Sequence, residues 1–189
     1  VQDTPEKLWN TLDVFTEQKD CRALALPHHT VRNAFIHDWS YVNPKYVRIA
    51  EVCSVHGSSL YTPNNDLNVL GSIDPPSEPI NGSSITDALT MGYNLSLYAS
   101  GDSHDGRPGH SLCHTGAAVG HQYPFTIHHS RADHPYPNPL TAVYSSALTR
   151  DHIFDNLHQQ HIYANSDHGR PIMYLKINNQ TYIHSNEIY

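Results

Sequence analysis

Apolar positions recur at helical spacing at the start of the chain, where Leu8, Leu12 and Phe15 follow Thr4-Pro5. Thr4 offers an N-cap oxygen, and Pro5 fits the first turn, where its missing N–H costs nothing, so a helix is expected to begin there. The period then shortens. Arg22–Pro27 is an apolar run, Tyr46–Val52 places Val47, Ile49 and Glu51 on one face, and Leu95–Ala99 alternates, so each is expected to be a strand. Ile85–Met91 reads as a helix closed by Gly92, and Arg150–Gln160 as a later helix. Ile172–Ile177 and Thr181–His184 are expected as closing strands, joined as a hairpin through Asn178-Asn179. Residues 30–44, which hold His37-Asp-Trp39, predict an irregular loop.

Between these elements lie two long stretches rich in Pro, Asn, Ser and Gly, residues 62–84 and 107–139. Loops of that size in a compact domain usually serve a function or stay disordered. The length of 189 residues and the absence of internal repeats fit one domain. Strands alternating with helices predict an α/β fold with a mainly parallel sheet. Polar residues cluster just beyond the apolar runs: His28 and His29, Glu51 and His56, then Asp102 and His104. In α/β folds ligands bind outside the carboxyl ends of the strands, so these side chains are expected to meet on one rim.

Composition narrows the possible partners. The formal charge is −7, and the 11 Lys and Arg are scattered, which argues against a nucleic-acid groove. No stretch approaches the roughly 18 apolar residues of a membrane span. The 3 cysteines form no C-x-x-C pair, so neither a disulfide framework nor a structural zinc site is implied; Cys21 and Cys53 read as small strand residues. The 16 histidines are the anomaly, although several, such as His128, His129 and His134, stand in Pro-rich loops without ligand spacing.

The chemistry concentrates in Tyr98-Ala-Ser-Gly-Asp-Ser-His-Asp-Gly-Arg-Pro-Gly109. Asp102 and His104 stand at i and i+2 after an apolar run, and such residues share one side of a strand. A carboxylate and an imidazole offered together suit a divalent metal of hydrolytic type, zinc, manganese or iron. With His28 they make a candidate set of three ligands, enough for one catalytic metal.

Four blocks resemble successive pieces of the polymerase and histidinol phosphatase (PHP) superfamily of metal-dependent phosphoesterases, notably its large bacterial members. They are Arg22-Ala-Leu-Ala-Leu-Pro-His-His-Thr30, Arg48-Ile-Ala-Glu-Val-Cys-Ser-Val-His-Gly57, the Asp102/His104 loop, and Leu140 to Tyr174 with its final helix and closing strand. The resemblance implies a (β/α)7 distorted barrel, present here as a partial barrel with mainly parallel strands. It also implies hydrolysis of a small-molecule phosphate ester by a metal-activated water. His28, Asp102 and His104 match the family's ligands. Glu51 falls on a strand that carries a Glu close to the site and joins Asp102 and His104 as a catalytic candidate. His29, His56 and Arg107 are expected to face substrate, Arg107 by gripping a phosphate oxygen. The family's early His-x-His motif has no counterpart before Trp9, so completion by an N-terminal half or a second chain is expected.

Two other readings stand beside this one. A degenerate PHP-like module would bind or assemble without catalysis. A serine esterase would use Gly101-Asp-Ser103, which is similar to a lipase and esterase nucleophile block, with Asp155 and His158 as partners, although these two fall inside an amphipathic helix.

Overall fold

The computed structural model describes residues 4–31, 36–54, 57–62, 65, 82–102, 139–166, 171–174, 176–177, 180–181 and 187–188. The fold is mixed α/β with small sheets and no closed barrel among the described residues. Helix α1, Pro5–Lys19, starts as the sequence predicts, with the Thr4 hydroxyl accepting from the Lys7 N–H at 3.4 Å and Asp20 closing the helix in the left-handed region. None of its residues is buried. It is held by Trp9, whose indole N–H donates to the Tyr41 carbonyl at 2.9 Å while its ring stacks on Tyr46.

Strand β1, Ile49–Ser54, begins three residues later than the pattern predicts. Asn43-Pro44 forms a turn in which the Tyr46 and Val47 N–H groups both donate to the Asn43 carbonyl, so these two apolar residues belong to the turn. Strand β2, Gly57–Ser58, pairs antiparallel with β1. Helix α2, Ile85–Thr90, is fixed by a capping box between Ser84 and Asp87, and Gly92 at φ 89° follows it as expected. Strand β3, Ser96–Ser100, pairs parallel with β1, with a bulge between Glu51 and Cys53 that brings Ser54 level with Ser100.

Strand β4, Leu140–Ser145, helix α3, Arg150–His158, and strand β5, Ile162–Asn165, complete the body. Strands β6, Lys176–Ile177, and β7, Gln180–Thr181, form the expected antiparallel pair in shorter form, and β8, Glu187–Ile188, pairs antiparallel with β4. The expected mainly parallel sheet is not what forms: β1–β3 is parallel, and the other four described pairings are antiparallel. In the last unit the reason is local. The Tyr144 N–H donates to the His161 carbonyl at 2.9 Å, and Gln160 at φ 66° turns the chain, so β5 starts beside the end of β4 and must run back along it.

The run Arg22–Pro27 also departs from expectation, since it is extended without being a regular strand. Its ladder bonds to the β1 side are Ala25 N–H to Tyr46 carbonyl, 2.9 Å, and Glu51 N–H to Pro27 carbonyl, 3.0 Å. Arg22 ties it to α3 by bonding Asp151 and Asp155 while lying over the Phe154 ring. Phe154 and Tyr163 are half-buried.

The parallel pair is covered on both faces, as parallel strands normally are. Ala50 packs with Trp39, Ile85 and Ala88 on one side, with Leu97 against them. Ile49 and Tyr98 pack with Val143 and Ile162 on the other, backed by Ile153 and Leu157 of α3. Trp39, in a 3-10 turn over Trp39–Tyr41, is fully buried, and its indole N–H donates to the Ser83 carbonyl at 2.9 Å. His37 stands edge-on to Trp39 at 4.3 Å, and burial lowers its pKa, favouring the neutral imidazole. No helix among the described residues is long and apolar enough to cross a membrane.

Candidate metal centre

Three titratable side chains meet at one place: Glu51 from within β1, His28 just after the extended Arg22–Pro27 segment, and Asp102 just after β3. Pro27 is tied to β1 through the Glu51 N–H, and the Tyr98 hydroxyl donates to the same Pro27 carbonyl at 3.1 Å. This anchors the chain one residue before His28. His29 then takes φ 51°, in the left-handed region that few non-glycine residues enter. In an extended chain neighbours face opposite ways. The kink instead stacks the His28 and His29 rings at 3.5 Å, so both imidazoles serve the same site.

Glu51 is the hub. Its side chain is fully buried, and its Oε2 lies 2.8 Å from His28 Nδ1 and 3.7 Å from His29 Nε2 while accepting the His29 backbone N–H at 3.1 Å. Its other oxygen, Oε1, accepts from the Ser100 hydroxyl at 2.6 Å. Asp102 closes the arrangement from β3, with Oδ1 3.5 Å from His28 Nε2 and Oδ2 3.6 Å from His29 Nε2. His29 Nε2 also meets the Ser54 hydroxyl at 2.8 Å. His28, His29 and Glu51 each present a ligand atom within 4.8 Å of the others, and together they could hold a metal ion. Two imidazoles and a carboxylate form a donor set that suits a divalent transition metal.

Charge and burial set the protonation of His28. Burial alone would lower its pKa, but Asp102 and Glu51 outweigh that effect and raise it to about 9; the Glu51 contact is the shorter of the two. Because this pKa lies above the unfolded value, the stability the protonated ring contributes is fully present below about pH 6.5 and is lost as pH rises through about 9. The ring is 43% exposed, so solvent screens the interaction. Behind the site, burial and then the Glu51 charge push the Cys53 thiol up to about 12, which leaves it unreactive, and the same two influences, with Asp102, raise the Tyr98 phenol.

Of the sequence candidates, the structure unites His28, Glu51 and Asp102 and adds His29, which the sequence reading assigned to substrate, to the group of ligand atoms. His56, His104 and Arg107 lie outside the described residues. The same-side argument for Asp102 and His104 needs an extended chain, yet β3 ends at Ser100 and Asp102 stands at φ 48°, so strand alternation stops before this pair. Ser54 and Ser100 were missed; hydroxyls at strand ends beside His and Glu were their only signal. Asp155, an acid of the esterase reading, is bonded to Arg22. Searches of protein-family models, curated proteins and solved structures match nothing to this chain.

Proposed function

We propose that this chain carries the metal-binding rim of a PHP-like metal-dependent hydrolase, a phosphoesterase acting on a small-molecule phosphate ester. The observation that carries the reading is the convergence of His28, His29 and Glu51, with Asp102 alongside, on one side of a parallel strand pair. In this reading the β1–β3 pair belongs to a partial barrel, and residues outside the described set, or a second polypeptide, complete the ligands. The acidic balance of the sequence agrees with a small substrate better than with a nucleic acid.

A divalent zinc, manganese or iron ion bound here would polarise the phosphate and lower the pKa of a bound water from about 15.7 toward 7. The chain's own residues do the rest. Glu51 and the two imidazoles would hold the ion, and Asp102, facing His28 and His29, could orient a ligand or accept a proton. His28 must give up its proton to bind metal, so uptake below about pH 9 releases one. The esterase reading is retained only as an outcome of the test. The degenerate-module reading draws on one observation: the buried Glu51 carboxylate already has His28, His29 and Ser100 as partners without an ion.

The test is hydrolysis of an aryl phosphate with added Mn2+ or Zn2+. The chain by itself is expected to show little or no turnover; a complementary PHP segment supplied with it should restore activity, which EDTA and Asp102→Ala should each abolish. Turnover that survives EDTA and Asp102→Ala but is lost in Ser103→Ala would establish the esterase reading instead.

A further inference from the structure

Ser100 is outside every ligand set above, yet its hydroxyl holds the Glu51 oxygen that neither histidine engages through a hydrogen bond among the described residues. Ser54 and Ser100 are register partners at the carboxyl ends of β1 and β3. Each uses its hydroxyl on a different member of the site, Ser54 on His29 Nε2 at 2.8 Å and Ser100 on Glu51 Oε1 at 2.6 Å. A carboxylate can present either oxygen or both to an ion. Here Oε1 is engaged by Ser100, while Oε2 is directed to His28 Nδ1 and the His29 N–H. Glu51 is fully buried, so removing the hydroxyl leaves a buried carboxylate oxygen without this donor.

We propose that Ser100 is a positioning residue that fixes Glu51 in a one-oxygen binding mode, with Oε2 as the ligating atom. The proposal rests on the metal-site reading above. Groups that orient a metal ligand from behind commonly contribute about 10–100-fold in affinity. Ser54 should act with the other sign. Its hydroxyl and a metal ion compete for the same nitrogen of His29, so removing it takes away a competitor.

The experiment is calorimetric titration with Zn2+ alone, on wild type, Ser100→Ala, Ser100→Thr and Ser54→Ala, paired with crystal structures of the metal-free proteins. Ser100→Ala is expected to weaken zinc binding about 10–100-fold, Ser100→Thr to recover most of it, and Ser54→Ala to bind at least as tightly as wild type. In metal-free Ser100→Ala the Glu51 carboxylate should be rotated and its 2.8 Å contact with His28 lost. Equal weakening by Ser54→Ala and Ser100→Ala, with no recovery in Ser100→Thr, would mean general loosening and overturn the proposal. An unchanged Glu51 in metal-free Ser100→Ala overturns it too, even if wild type binds no zinc. The structural arm therefore judges Ser100 separately from the metal reading.

Discussion

Glu51→Gln should abolish metal binding while leaving the fold standing. Glutamine keeps the volume; its carbonyl oxygen can accept the His29 N–H in place of Oε2, and its amide N–H can donate to the Ser100 hydroxyl in place of the bond that Oε1 accepts. It loses the negative charge, which beside that of Asp102 holds His28 in its protonated form and would help neutralise a divalent ion. Breaking a buried ion pair can destabilise by about 3–5 kcal/mol when the surviving charge is trapped. His28 is not trapped: at 43% exposure its ring can deprotonate or turn to water, so the loss in the metal-free protein should be nearer about 1 kcal/mol. Zinc affinity should fall by more than about 100-fold, beyond what an outer-shell partner contributes. Thermal denaturation with and without Zn2+ checks both halves. Wild type gains stability from zinc, by about 4 kcal/mol at a thousand times Kd, and Glu51→Gln gains none. A variant that still gains stability would remove Glu51 from the site.

Trp39→Ala should be the most damaging substitution away from the site, costing about 3–5 kcal/mol. The ring is fully buried between the sheet and α2, in contact with Ala50, Ile85 and Ala88, all small or already packed, so neighbours cannot collapse into the space. The indole N–H bond to Ser83 is lost as well, leaving that carbonyl without its donor. Trp39→Phe separates the two contributions, because it keeps much of the volume and loses only the bond, for about 1–2 kcal/mol beyond the volume change. Urea unfolding followed by circular dichroism gives both values. Because Ala50 precedes Glu51 in β1, Trp39→Ala should also weaken zinc binding, whereas a substitution on exposed α1 should not.

The local signals in the sequence were reliable where a cap or a short period decided the structure. Thr4-Pro5 begins α1, Gly92 follows α2, and the alternation of Leu95–Ala99 becomes β3 within one residue. They failed where hydrogen bonds that leave no trace in the apolar period decided it. Asn43 draws Tyr46 and Val47 into a turn, and β5 is held beside the end of β4, reversing the direction that strand-helix-strand order suggests. His28, Glu51 and Asp102, which the sequence places at strand ends, do lie together, although Glu51 stands within β1 and not at its end. The role of His29 was not legible, because a left-handed kink at a histidine leaves no trace in periodicity, and without it the two adjacent rings would diverge. The bulge that sets Ser54 beside Ser100 is hidden in the same way.

The most direct test of the account is where a metal ion binds. Crystals of the chain grown with Zn2+ and measured across the zinc absorption edge should show an anomalous peak about 2.0–2.2 Å from Glu51 Oε2 and from an imidazole nitrogen of both His28 and His29. The 2.8 Å His28–Glu51 contact should be replaced by bonds to the ion. A zinc peak elsewhere, or none, with the His28–Glu51 contact intact, would contradict the account.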